Sequence, residues 1–284
     1  MKRLYPIFIL LMSMASLFRS EAQTARSLFW RSDSLQVTEI VSETGDQYRK
    51  VGHHGPAVEN SHMALRIYFN DSGAIDLYSK TGRGMELMNY LWYPSEELQK
   101  ESGMGCDAYI VGNTVGLGGI SLWDGEKEVK LVATKGRTAR VGDTKRGSYA
   151  EMIAYGVEYK GGYVDISIRI DVASKGRTAK VTARELNGTP VQFLSGINYH
   201  EGQRVMYESG YISVWGHHPV KGESFPVGAG MRFSEKLFPS MEKTDDMVRI
   251  ISKKTDEIET EIVGASSKEA ELNTAKRFET YMTE

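Results

Sequence analysis

The chain has 284 residues, a single cysteine and a formal net charge of −2 with no basic block. That balance argues against a nucleic-acid partner or an anionic membrane surface. One cysteine excludes an internal disulfide, so the fold must rest on core packing, and a chain of this length can bury enough surface to do so.

In chain order, the first expected element is a leader. Met1-Lys2-Arg3 precedes an apolar stretch from Leu4 to Leu17, and Ser20-Glu21-Ala22 sets small residues where a signal peptidase cuts. Cleavage after Ala22 is expected, with residues 1–22 a signal peptide, 23–284 a single β domain and a secreted or periplasmic product. The apolar stretch is shorter than the roughly 20 residues a bilayer span needs. No stable membrane insertion is expected, and Cys106 lies too far along the chain for a lipid anchor at the cleavage point.

Beyond the leader the dominant period is two. It predicts strands at 35–41, 62–69, 74–78, 118–123, 128–134, 149–159, 162–171, 178–186, 191–200, 209–216, 225–233, 246–252 and 256–263. Within 162–171, Val164, Ile166, Ile168 and Ile170 alternate with polar residues, and Gly161-Gly162 marks a hairpin to the strand before. Helical patterns are expected at 94–102 and 266–283, the second with Ser266 and Glu269 spaced as a capping box and Ala270, Phe278 and Met282 on one stripe. Gly-Arg-Thr occurs twice, at 136–138 and 176–178, each time after a lysine, as in two similar hairpin turns. So many short strands predict an all-β fold, a large antiparallel β-sandwich with a short C-terminal helix.

All six histidines fall in three polar, aromatic segments. The first leads into a strand. If its period runs back to Asn60, then Asn60, His62, Ala64, Arg66 and Tyr68 share one face while Leu65, Ile67 and Phe69 take the core. That face suits a sugar acid, because arginine pairs a carboxylate, tyrosine stacks or hydrogen-bonds, and histidine moves a proton near neutral pH. The second segment puts Asn198 and His200 on one face beside Gly196, which leaves space above the sheet, with Glu201 following. The third alternates Tyr211, Ser213, Trp215 and His217 against Ile212 and Val214, which is either a sugar-stacking platform or core packing. No cofactor is expected. A divalent metal on His54 and Glu59 with His200 or His217 is the minor alternative.

The stretch from His53 to Lys80, His-His-Gly-Pro-Ala-Val-Glu-Asn-Ser-His-Met-Ala-Leu-Arg-Ile-Tyr-Phe-Asn-Asp-Ser-Gly-Ala-Ile-Asp-Leu-Tyr-Ser-Lys, resembles the bacterial family called domain of unknown function 4861. The likeness continues through Gly196-Ile197-Asn198-Tyr199-His200-Glu201 and covers most of the mature chain. It implies a secreted protein associated with polysaccharide degradation and a sandwich like that of galactose mutarotases. It carries no catalytic residues over.

The expected function is therefore action on an acidic, uronate-containing, pectin-like glycan, with a carbohydrate as partner. For β-elimination, Arg66 or Asn60 would neutralise the carboxylate, His54, His62 or His200 would be the base, and Tyr68 the acid. Hydrolysis would need two carboxylates, for which Glu59 and Glu201 are available. The alternatives are a mutarotase-like epimerase, a non-catalytic glycan binder using Trp215, Tyr211 and Arg66, or an envelope protein without ligand; Asn60, Asn198, Glu201 and His217 are further candidates for holding substrate.

Overall fold

The computed structural model describes residues 23–87, 97, 101, 103–220 and 224–284. The expected signal peptide lies outside the described residues, and the helix expected at 94–102 lies largely outside them. The first third of the chain holds β1 (Thr24–Ser27), β2 (Glu39–Ser42), β3 (Ala57–Asn60), β4 (Ala64–Ile67) and β5 (Ile75–Tyr78). The middle holds β6 (Ser121–Trp123), β7 (Glu128–Val129), β8 (Arg137–Asp143), β9 (Gly147–Tyr159), β10 (Gly162–Ala173), β11 (Ala179–Glu185) and β12 (Phe193–Asn198). The last third holds β13 (Arg204–Glu208), β14 (Tyr211–Gly216), β15 (Val227–Phe233), β16 (Ser240–Lys243), β17 (Met247–Ile251), β18 (Glu257–Ser266) and helix α1 (Ala275–Thr283).

These strands form two layers. One is a nine-stranded sheet in the order β13-β14-β15-β18-β11-β10-β9-β8-β2. The other joins a four-stranded sheet, β1-β3-β4-β5, to a five-stranded one, β16-β17-β12-β6-β7. The joint is the pair Gly116 and Leu117, which bridges Ile75 of β5 on one side and Ile197 of β12 on the other. Every named strand pair is antiparallel, so the β-sandwich expectation is met. The core lies between the layers. Leu65, Ile67, Ile75 and Ile197 of one layer meet Ile166, Ile168, Val181 and Ile262 of the other, all buried in a single cluster.

The β9–β10 hairpin shows why local sequence suffices where alternation is clean. Its two turn residues are Lys160 (φ 51°) and Gly161 (φ 79°), one place earlier than the expected Gly161-Gly162. Positive φ at both positions matches the right-handed twist of the flanking strands. The two Gly-Arg-Thr segments share a local logic too: Gly136 (φ 98°) and Gly176 (φ 95°) turn the chain, and the following Arg137 and Arg177 are buried. Strands β1, β3, β8, β13 and β16 were not legible, being short or carrying no clean alternation.

The C-terminal helix is shorter than expected. It begins after Thr274, whose Oγ1 accepts the Arg277 N–H, and not at Ser266, which ends β18 and donates to the Lys80 carbonyl. Glu269 is no capping partner either; it receives Arg177. Of the expected stripe, Phe278 and Met282 are buried and Ala270 is exposed. Phe278 and Met282 sit on β14 and β15, where a Cβ on Gly228 or Gly230 would strike Trp215, Phe278 or Met282.

Candidate functional site

The second layer has an outer face, turned away from the core, and the polar chemistry collects there. Alternation puts Glu59 of β3, Ala64 and Arg66 of β4, and Asp76 and Tyr78 of β5 on this face, with Arg66 opposite Asp76 and Ala64 opposite Tyr78 in register. The chain then doubles back across it: Ser79 bridges Cys106, and Asp107 reaches Arg66. The face is therefore partly roofed.

One end of the face is an anchor. The Lys80 Nζ donates to Glu59 Oε1 (2.6 Å) and to the carbonyls of Asn60 (2.8 Å) and Gly84 (2.6 Å). Glu59 also accepts the backbone N–H groups of Glu86 (2.8 Å) and Leu87 (2.9 Å), and Tyr78 donates to Glu86 (2.7 Å). Burial pushes the Glu59 carboxyl up against the pull of Lys80. With this many donors already bound, Glu59 ties the roof to the sheet and has no capacity for substrate.

The other end is open to solvent at its rim. Arg66 donates to Asp76 Oδ2 through Nε (2.9 Å) and Nη2, and the Tyr68 hydroxyl donates to the same oxygen. Asp76 Oδ1 is buried without a hydrogen-bond partner among the described residues. Complete burial, with Asp107 adding to it, pushes Asp76 up to about 6 in spite of Arg66. Burial likewise raises the Tyr68 phenol, and Asp76 raises it further.

Above this pair stand Tyr48 and His54, stacked with ring centroids 3.9 Å apart and planes 17° apart. Both lie edge-on to Tyr68, at 4.9 Å and 6.2 Å. Tyr48, His54, Tyr68 and Asp107 are all half-buried, whereas Arg66 and Asp76 are sealed below. His54 Nδ1 lies 3.0 Å from the Tyr48 carbonyl oxygen. A carbonyl only accepts, so Nδ1 carries the proton and Nε2 is the basic nitrogen. Burial first, then Arg66, with Arg49 and Arg31 adding, lowers His54 to about 4, so the ring is neutral at ordinary pH. His53 (φ 54°) and His54 (φ 64°) are both left-handed, a conformation that costs a β-carbon residue about 1–2 kcal/mol. Such strain is retained where the surrounding structure insists on it, and it is concentrated at functional sites.

A second node continues the face toward β12. The Tyr109 hydroxyl donates to Asn198 Oδ1 (2.6 Å), and Asn198 Nδ2 donates to the Ile110 carbonyl (2.7 Å). His200 Nε2 lies 2.9 Å from that same carbonyl, and His218 Nδ1 accepts the Ile110 N–H (3.0 Å). Asp76 raises the Tyr109 phenol after burial does, so the two nodes adjoin at Tyr109. Burial and His200 lower His218 to about 3. His54, Arg66 and His200 thus border one face, but His200 and Asn198 hold the roof segment 109–110 down and do not open onto the rim.

A family model, Domain of unknown function (DUF4861), matches residues 16–284. The chain belongs to this family. No curated protein matches it. Among solved structures, this DUF4861 chain is similar to the 4-alpha-glucanotransferase from Thermococcus litoralis at 11% identity and a TM-score of 0.37, covering 82% of this chain and 42% of that one. The chain spans less than half the length of that enzyme, and a likeness this low carries no argument about activity.

Several site residues expected from the DUF4861 sequence lie elsewhere. The strand period does not run back through Asn60, because Asn60–Met63 is a turn between β3 and β4. Asn60 Oδ1 accepts the N–H groups of His62 and Met63 (2.9 and 3.0 Å), and its Nδ2 reaches the Ala173 and Gly176 carbonyls on the far layer. His62 sits at that turn, the end of β4 away from His54, where burial, Arg177 and Arg83 lower it to about 4. Tyr211 and Trp215 are covered by α1, with Trp215 5.7 Å from Phe278, so they pack a core and form no platform. His217 is exposed and pairs with Ser224 (3.1 Å), and Glu201 is on an exposed turn remote from the locked Glu59. Gly196 leaves no groove; a Cβ there would strike the Val248 carbonyl and Met247. His54, Glu59, His200 and His217 do not converge, and among the described residues no group of three or more His, Cys, Asp or Glu side chains is placed to hold a metal ion.

Other residues of the site escaped notice. Asp76 was legible, since it alternates with Ile75 and Leu77 in an expected strand. Tyr48, Asp107 and Tyr109 lie on irregular segments with no period to mark them. A second concavity of about 630 Å³ lies on the outer face of the nine-stranded sheet; there Arg169 pairs with Asp171, and the Ser167 hydroxyl donates to Glu151.

Proposed function

We propose that this DUF4861 protein is an exported carbohydrate-active enzyme that cleaves uronate-containing glycans by β-elimination at the Tyr48–His54–Tyr68 rim. The observation that carries the reading is the rim itself: the neutral His54 imidazole, held with Nδ1 at a backbone carbonyl so that Nε2 is the basic nitrogen, packs directly against the phenols of Tyr48 and Tyr68. Elimination needs a base for the proton next to the carboxylate and an acid for the departing oxygen. Arg66 is not the open carboxylate clamp the sequence suggested, because Asp76 and Asp107 occupy it. The exposed Arg49 and Arg31, close enough to act on the His54 titration, supply the positive field an acidic sugar requires.

The test is ultraviolet absorbance of the unsaturated product on incubation with a panel of acidic polysaccharides. The wild-type chain should generate it, and His54→Gln should lower the rate by about 10²–10⁴-fold, the usual worth of a general base. New reducing ends without absorbance would favour hydrolysis, and saturable binding without product would favour a glycan-binding module. The leader reading supports export, and N-terminal sequencing of protein recovered outside the producing cell should begin at Gln23.

A further inference from the structure

The outer face of the nine-stranded sheet points away from the rim, and its concavity of about 630 Å³ is lined by a different chemistry. We infer that this concavity is a second, non-catalytic binding site for a carboxylated polysaccharide, whose negative charges are spaced one to a sugar with hydroxyls between them. The site uses none of the rim's residues, so it stands whether or not the rim performs an elimination.

The first argument is charge. The chain as a whole is net negative, yet Lys145, Arg146, Arg169, Lys180 and Arg184 line the concavity against the carboxylates of Glu151, Asp171 and Glu261. A locally positive hollow on an acidic protein concentrates anions there. Lys145 and Arg146 are exposed on the turn between β8 and β9 and form no ion pair among the described residues. The turn that carries them is tied down. Thr144 Oγ1 accepts the N–H groups of Arg146 (3.2 Å) and Gly147 (3.1 Å), and the Arg146 carbonyl accepts the Ser174 N–H (2.8 Å). Lys180 and Arg184 pair with Glu259 and Glu257, but these are exposed pairs, which exchange partners at little cost.

The second argument is the way Arg169 is held. Its guanidinium lies over the Tyr149 ring, 3.7 Å from the centroid, and its Nε and Nη2 donate to Asp171 (2.8 Å each). Its Nη1 has no partner among the described residues and is left to donate to a ligand carboxylate. A guanidinium fixed in this way loses little freedom on binding. Thr178 and Thr182 add hydroxyls to the lining, and the carboxylates accept hydrogen bonds from sugar hydroxyls. The same carboxylates argue against nucleic acid. A duplex carries one negative charge per about 1.7 Å, and Glu151, Asp171 and Glu261 would repel so dense a backbone. Arg169 also covers the Tyr149 ring, which removes it as a platform for a base.

The test is affinity electrophoresis in native gels containing polygalacturonate, neutral dextran, dextran sulfate or a single-stranded oligonucleotide, with His54→Gln present throughout so that no polymer is cut. Polygalacturonate should retard the protein and dextran should not. Lys145→Glu combined with Arg146→Glu should weaken that affinity at least ~10-fold, since it sets like charges against the polymer. Lys127→Glu combined with Lys253→Glu makes the same change of charge at exposed positions beside β7 and β17 of the other layer, and should leave the affinity as it was. Absence of retardation by polygalacturonate would overturn the inference, as would affinity undiminished by the Lys145 and Arg146 changes or reduced equally by the control pair. Tighter retention by dextran sulfate or the oligonucleotide, lost with Lys145 and Arg146, would overturn the spaced-charge assignment in favour of a dense polyanion. None of these readouts depends on cleavage, so failure of the elimination reading and failure of this one are told apart.

Discussion

At the residue scale the rim is built from groups whose titration is set by burial, and this predicts a pH response of stability. Folding lowers His54 to about 4, His62 to about 4 and His218 to about 3, each with burial as the leading cause. The unfolded chain titrates its histidines near 6.5, so between about pH 6.5 and 4 it binds more protons than the native state. The stability these three contribute is complete above about 6.5 and is lost as pH falls through that window. Asp76 acts the opposite way, because its raised value favours the native state below about 4 and that benefit fades as pH rises through about 6. Burial raises the Glu59 and Glu269 carboxyls too, and they act with Asp76; with three histidines titrating across the window between about 6.5 and 4, the urea midpoint should be lower at pH 5 than at pH 7. His218→Gln should flatten that slope and Asp76→Asn should steepen it; a midpoint independent of pH over this range would refute the burial account. Of these residues the sequence showed the histidines and Arg66 as candidates but not their states, since a pKa shift depends on what packs around the group.

At the scale of elements, the segment after β5 matters most. Lys80 and Glu59 are both almost fully buried, and their pairing ties the returning chain to β3. Removing one partner leaves an uncompensated buried charge, so Lys80→Met should cost about 3–5 kcal/mol of unfolding free energy by urea titration. The Lys80→Met, Glu59→Leu double variant should recover much of that loss, because a packed apolar pair carries no desolvation cost. Strand alternation made β10 and the β9–β10 hairpin plain from sequence. It failed at Asn60, where a turn interrupts the period, and it left Trp215 open between a sugar platform and core packing, which α1 decides by covering the aromatic row. In both cases the deciding contact comes from far along the chain: Ala173 and Gly176 for Asn60, Phe278 for Trp215.

At the scale of the whole molecule, two antiparallel layers enclose one continuous apolar core, and the outer face of the smaller layer carries the candidate site. With Cys106 as the sole cysteine, its thiol pushed up to about 11 by burial, no covalent bridge supports the sandwich. Its thermal midpoint should be the same with and without a reducing agent, and a drop on reduction would show that pairing between chains supports the fold.

The amino-acid order by itself determined the fold class, the hairpins with clean alternation and the helical C-terminus, and it singled out His54 and Arg66 as candidates, because period, turn chemistry and residue type are local properties. The family membership was legible in the same way, from the run between His53 and Lys80. Only the tertiary structure decided which candidates meet. It brought Tyr48 and Asp107 from irregular segments onto Arg66 and Asp76, and spent Glu59, Asn198 and His200 on holding the roof. It also sent Asn60, His62, Tyr211 and Trp215 to other surfaces. Those outcomes turn on long-range packing and on the burial of charge, neither of which is written in any single segment.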